Sequence, residues 1–185
     1  MPLQFFQIIF LSLFLTFSVG QEEVKEKKPL YPVTELTDPN ISVMGDLTKG
    51  KTMTLQWAEN SAVGCFPGTR FREYQGNHIL YRVNMPAASD MKITVTPIDK
   101  SNRINFYALR LPEGNTSTPP DMARSISCEA AYPMYAGKPN LNKGNKAKSV
   151  EYMSIHRPYT ILIGVAGAKG VLAGQFELKV ETTSR

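Results

Sequence analysis

Few residues of this 185-residue chain have the types and spacing to do chemistry. There are two histidines. His78 stands at the start of an apolar run, after Gly76-Asn77, and His156 opens the corner His156-Arg157-Pro158. A zinc site would need both, with carboxylates converging from distant segments. Both read as turn residues instead, so no metal site is expected. Gly-x-Ser-x-Gly, His-Glu-x-x-His, a phosphate-binding loop and Cys-x-x-Cys are all missing from the sequence. Nucleophilic, zinc-hydrolytic and nucleotide chemistry therefore lack their sequence signatures. The chain is expected not to be an enzyme, and a hydrolase using a convergent triad ranks last.

Cys65 and Cys128 are the two cysteines. In an exported chain they are most simply a disulfide, and loop entropy gives about 4 kcal/mol for closing so long a loop. The rival reading, two free thiols with one nucleophilic, is opposed by an oxidising compartment. Arg70-Phe71-Arg72-Glu73-Tyr74 follows the first cysteine, and Tyr132-Pro133-Met134-Tyr135 follows the second. A bond between the cysteines would draw these irregular loops together. Arg and Tyr dominate binding hot spots, so Arg70, Arg72, Tyr74, Tyr132 and Tyr135 are the candidate binding residues. The plainer alternative is a packed loop with solvated arginines. Trp57, the single tryptophan, reads as a core or rim residue before a ligand platform.

Lys138, Lys143, Lys146 and Lys148 lie in a stretch without acids and supply most of the formal net charge of +5. The rest of the chain is nearly neutral, which argues against a broad electrostatic footprint for nucleic acid. The lysines suit anionic polymers or lipid head groups.

These groups must be positioned by strands. Tyr159, Ile161, Ile163 and Val165 place apolar side chains on one face of an extended run, while Leu162 falls on the other. That pattern predicts a central strand covered on both sides near its middle, and Gly164 leaves room for a bulky neighbour. Ile79–Met85, Met91–Val95, Ile104–Leu111, Val150–Ile155 and Phe176–Val180 read as further strands separated by turns. Thr52–Trp57 alternates as well, with Met53, Leu55 and Trp57 on one face. Gly167-Ala168-Lys169-Gly170 has hairpin chemistry, Met122–Ile126 has room for a helical turn, and Thr182–Arg185 is expected to fray. Closely spaced strands and turns indicate an all-β sandwich or barrel.

Phe5–Phe17 is almost wholly apolar and is followed by Ser18-Val19-Gly20. Residues 1–20 are thus expected to be a signal peptide, too short for comfortable membrane spanning, with no transmembrane segment after processing. Residues 21–40 read as a flexible leader, charged and closed by prolines, and residues 41–182 as the β-domain. The destination is the periplasm or the medium.

Three stretches carry a family resemblance. They are the strand-turn-strand of Tyr81–Val95, the run Pro158-Tyr159-Thr160-Ile161-Leu162-Ile163-Gly164-Val165, and the closing Gly174-Gln175-Phe176-Glu177-Leu178-Lys179-Val180. With Ile104–Leu111 they make the chain resemble the bacterial pre-peptidase C-terminal domain family. The resemblance implies a jelly-roll-like antiparallel β-sandwich of about eight strands, usually a non-catalytic module of secreted hydrolases. Some relatives bind calcium or assist attachment to an insoluble substrate. Here Ser101-Asn102-Arg103-Ile104-Asn105 stands where the family often carries an acidic pair. Calcium prefers charged oxygens, so no cofactor is expected. The expected function is an exported non-catalytic binding or accessory module, taking an extracellular or periplasmic protein or polysaccharide on its loops. The alternative is an envelope-associated structural protein using the lysine-rich loop on anionic surfaces.

Overall fold

The computed structural model describes residues 30–99, 101–131 and 146–185. The apolar runs become strands β1 (Val33–Leu36), β2 (Ile41–Asp46), β3 (Lys51–Thr52), β4 (Asn77–Met85) and β5 (Ser89–Pro97). They continue as β6 (Ile104–Pro112), β7 (Ser127–Ala131), β8 (Lys148–Ser154), β9 (Tyr159–Gly167) and β10 (Gln175–Ser184). One sheet runs β1-β4-β9-β6-β7 with β3 also on β4; the other runs β2-β10-β5-β8.

The fold is a β-sandwich. With β1 and β3 set aside, the first, eighth, third and sixth remaining strands form one sheet. The second, seventh, fourth and fifth form the other, which is jelly-roll order. The strands among the described residues number ten rather than about eight, because β1 and β3 both add to one edge of β4. The β1–β4 pair is parallel, whereas the other pairings are antiparallel.

Several expectations shift for the same reason: pairing partners decide what a stretch becomes. β1 lies inside the expected leader, yet Val33–Leu36 pairs with Leu80–Val83 and Leu36 is buried. That edge of β4 is then occupied, leaving only Asn77 and His78 for β3. The strand expected over Thr52–Trp57 accordingly stops at Thr52 and passes into helix α1 (Gln56–Asn60). Met53, Leu55 and Trp57 are still buried together. The stretch 167–170 makes no hairpin, since β9 and β10 belong to different sheets. The C-terminus does not fray at Thr182: β10 pairs with β5 as far as Ser184, and Arg185 bonds to Asp90 at 3.0 Å. Met122–Ile126 forms turns without a helix.

Two cores result. Between the sheets lie Ile161, Ile163 and Val165 of β9 with Tyr81, Phe106, Ile93, Phe176 and Leu178. The outer face of the larger sheet is covered by residues 53–74, which pack Trp57, Phe66 and Tyr74 onto Leu162, Ala166 and Tyr107. β9 is therefore central and covered on both sides, as its alternation implies. The cover is held by the Cys65–Cys128 disulfide to β7, across a sequence separation of 63. Gly164 sits opposite Tyr107, and a Cβ there would lie 2.5 Å from Tyr107 Cε2. The glycine gives the ring its place on the sheet.

Candidate functional site

At one end of the sandwich, loops from both sheets and the cover meet. The crossing from β9 to β10 binds its neighbours through backbone groups. Ala168 N donates to Arg103 O at 2.9 Å and Lys169 N to Arg72 O at 2.7 Å. Gly76 N donates to Gly167 O at 2.8 Å, and Leu47 N to Gly174 O at 3.0 Å. Ile98 N donates to Gln175 O at 2.9 Å, tying in the end of β5. The Asn77 side-chain amide donates to both Leu47 O (3.1 Å) and Leu172 O (2.8 Å). Gly76 permits this close approach, because a Cβ there would lie 2.8 Å from Ala168 O. Loops fastened on every side give a surface that needs little further ordering on binding.

The side chains of this end are mostly basic. Glu73 receives Arg103 Nη2 at 3.1 Å and 2.8 Å on its two carboxylate oxygens, and Asn105 Nδ2 donates to the Glu73 carbonyl at 2.7 Å. Lys148 Nζ donates to Ile104 O at 2.8 Å. Burial lowers the Lys148 pKa to about 8; the Arg103 charge pushes the same way and Glu73 opposes it. Lys148 thus stays a cation at neutral pH. Arg72, Lys146 and Lys169 are exposed. Two aliphatic side chains also stand in solvent here, Ile98 at 52% and Leu172 at 53% exposure. Besides Glu73, the acids here are Asp46, opposite Gln175 in the β2–β10 ladder, and Asp99. Asp99 accepts from Ser101 N at 2.8 Å, and that hydrogen bond holds its carboxyl below the usual range.

The expected site is only partly assembled in this way. Arg72 is exposed on the basic end and Arg70 is half-buried. Tyr74 is not on a binding surface: it is fully buried, stacked on Phe66 at 4.4 Å and edge-on to Tyr107 at 5.7 Å. An aromatic in the cover gains more from the second core than from water. Tyr132, Tyr135, Lys138 and Lys143 lie outside the described residues. Arg103, Lys169, Ile98 and Leu172 are the residues that sequence reasoning missed. They sit in turns that are far apart in the chain, and nothing in their spacing signals that the turns meet.

The histidines stand apart. His78 pairs across from Ala166, whereas His156 precedes the opposite end of β9 at Tyr159. At a strand rise of about 3.3 Å per residue, the ends of that ladder are about 23 Å apart, so no metal site uses both. His78 is buried with Nδ1 3.1 Å from Gly76 O, and burial lowers its pKa to about 4. It is a neutral core residue. Among the described residues no cluster of three or more His, Cys, Asp or Glu side chains is placed to hold a metal. No helix among them is long and apolar enough to cross a membrane.

No protein-family model matches the chain. No curated protein matches it either. Among solved structures, it is similar to the pre-peptidase C-terminal domain of collagenase from Bacillus anthracis. That likeness has 10% identity over 84% of this chain and 100% of that one, with a TM-score of 0.41. A periplasmic inhibitor of g-type lysozyme from Aeromonas hydrophila matches at 12% identity over 82% and 97% of the two chains, TM-score 0.38. CorA, a surface-associated copper-binding protein important in copper acquisition in Methylomicrobium album BG8, matches at 8% identity over 81% and 97%, TM-score 0.43. The fold assigned above rests on this chain's own strand pairing.

Proposed function

We propose that this chain is an exported, non-catalytic binding module that holds an anionic extracellular or periplasmic partner on the basic end of its sandwich. The observation that carries the reading is the backbone fastening that brings Arg72, Arg103 and Lys169 to one end: Lys169 N donates to Arg72 O, and Ala168 N donates to Arg103 O. Of the carboxylates at this end, Glu73 is engaged by Arg103, Asp99 accepts from Ser101 N and Asp46 accepts from Thr48 N. Arg72 and Lys169, exposed cations on backbone-fastened loops, attract anions and steer their approach. The Cys65–Cys128 bond supports an oxidising compartment. Lys146, exposed two residues before β8, also favours the envelope-associated variant of this reading. This reading keeps Arg72 of the arginine–tyrosine patch and adds Arg103 and Lys169; Tyr74 is buried, and Tyr132 and Tyr135 lie outside the described residues.

The test is chromatography on immobilised dextran sulfate, comparing the protein with its Arg72→Glu/Lys169→Glu variant. Wild type is expected to be retained and to elute with salt, the variant to elute at clearly lower salt. Equal elution of the two would refute the basic end as the contact surface. Both substitutions are at exposed positions, and unchanged circular dichroism would confirm an intact fold.

A further inference from the structure

The basic end carries more than charge. Ile98 and Leu172 are each more than half exposed, as are Leu30, Met44 and Ile155 elsewhere in the chain. Ile98 and Leu172 lie on neighbouring turns. Ile98 N is bonded to Gln175 O, and Leu172 is three residues before Gln175, at most about 11 Å of chain. Leu172 is pinned from below by Asn77, and Lys169 of the same crossing is pinned to Arg72. Two exposed aliphatic side chains on backbone-fastened turns, at the same end as Arg72, Arg103 and Lys169, put apolar and cationic groups on one end of the sandwich.

A soluble polyanion uses only the cations. An anionic bilayer uses both parts, because head groups pair with the basic residues while aliphatic side chains enter the acyl boundary. Asp99, beside Ile98, is turned back onto Ser101 N, so its charge is partly satisfied within its own turn. We infer that the partner of the basic end is the surface of an anionic lipid bilayer, with Ile98 and Leu172 as the inserting side chains. This rests on the basic-end reading above.

The experiment uses the protein recovered after export, with its disulfide intact. It measures cosedimentation with phosphatidylglycerol–phosphatidylethanolamine vesicles and with phosphatidylcholine vesicles, alongside retention on dextran sulfate. Wild type is expected to sediment with the anionic vesicles and not with the neutral ones. Ile98→Ser/Leu172→Ser is expected to weaken vesicle partitioning by about tenfold or more while leaving dextran sulfate retention unchanged. Arg72→Glu/Lys169→Glu is expected to lose both. If the aliphatic variant partitions like wild type, or wild type binds dextran sulfate but no vesicle, the bilayer inference is overturned and the basic-end reading stands. If the charge-reversal variant alters neither measurement, both are overturned.

Discussion

Replacing Phe66 with alanine tests whether residues 53–74 form a true layer over the larger sheet. Phe66 is 1% exposed and is the hub of the second core. Its ring stacks on Tyr74 at 4.4 Å and meets Phe71 edge-on at 5.9 Å, Trp57 edge-on at 6.1 Å and Tyr107 at 5.5 Å. Truncating a buried phenylalanine costs about 3–5 kcal/mol. The upper part of that range applies here, because the adjacent disulfide restrains the cover from settling into the cavity. The lost ring pairs each add about 0.5–1.5 kcal/mol to what area alone predicts. Against a total stability of about 5–15 kcal/mol, the variant becomes marginal. Urea unfolding should be followed by both far-ultraviolet circular dichroism and Trp57 emission. Trp57 lies in the cover and is buried, so it reports on that layer directly. Both transitions are expected to shift together to lower urea by an amount matching this loss. A loss below about 1 kcal/mol with unchanged Trp57 emission would refute the packed layer. Arg72→Ala, at an exposed position of the same segment, serves as the control and should stay within about 0.5 kcal/mol of wild type.

Two further outcomes follow from the core. Burial lowers the His78 pKa from 6.5 to about 4, so between those values the unfolded chain binds the extra proton. The associated stability is fully present above pH 6.5 and is lost as the pH falls towards 4, a change of up to about 3 kcal/mol. Urea titrations across that window should show a shallower pH slope for His78→Gln than for wild type; equal slopes would contradict the burial argument. Gly164→Val drives a side chain into Tyr107, a ring with no exposed surface, and should cost about 1–3 kcal/mol. Calorimetry should read this as a fall in Tm of about 2–4 °C per kcal/mol, and an unchanged Tm would mean that the ring does not occupy that site.

Much of the fold is legible in the residues because burial imposes a period of two on a strand. Tyr159–Val165 reveals both its strand character and its double coverage: alternate apolar groups serve one core and Leu162 the other. Met91, Ile93 and Val95 face the inner core just as their alternation with polar residues implies. The candidate site was less legible. Arg72 was visible as a loop arginine, but Tyr74 looked equally available and is buried. Local composition marks an aromatic in a loop without saying whether a sheet lies beneath it.

The sequence by itself determined that this chain pairs strands, where most of them run, and that Cys65 and Cys128 suit a bond. Those follow from local periodicity, turn residues and oxidising chemistry. Only the tertiary structure decided which strands are neighbours, because β4 accepts partners on either edge regardless of chain order. That choice makes a strand of Val33–Leu36, ends β3 at Thr52 and sends the chain from β9 across to the other sheet. It also gathers Arg72, Arg103, Lys169, Ile98 and Leu172 from remote turns onto one end. Contacts between distant segments are set by the packing of whole sheets, and no short stretch of residues encodes them.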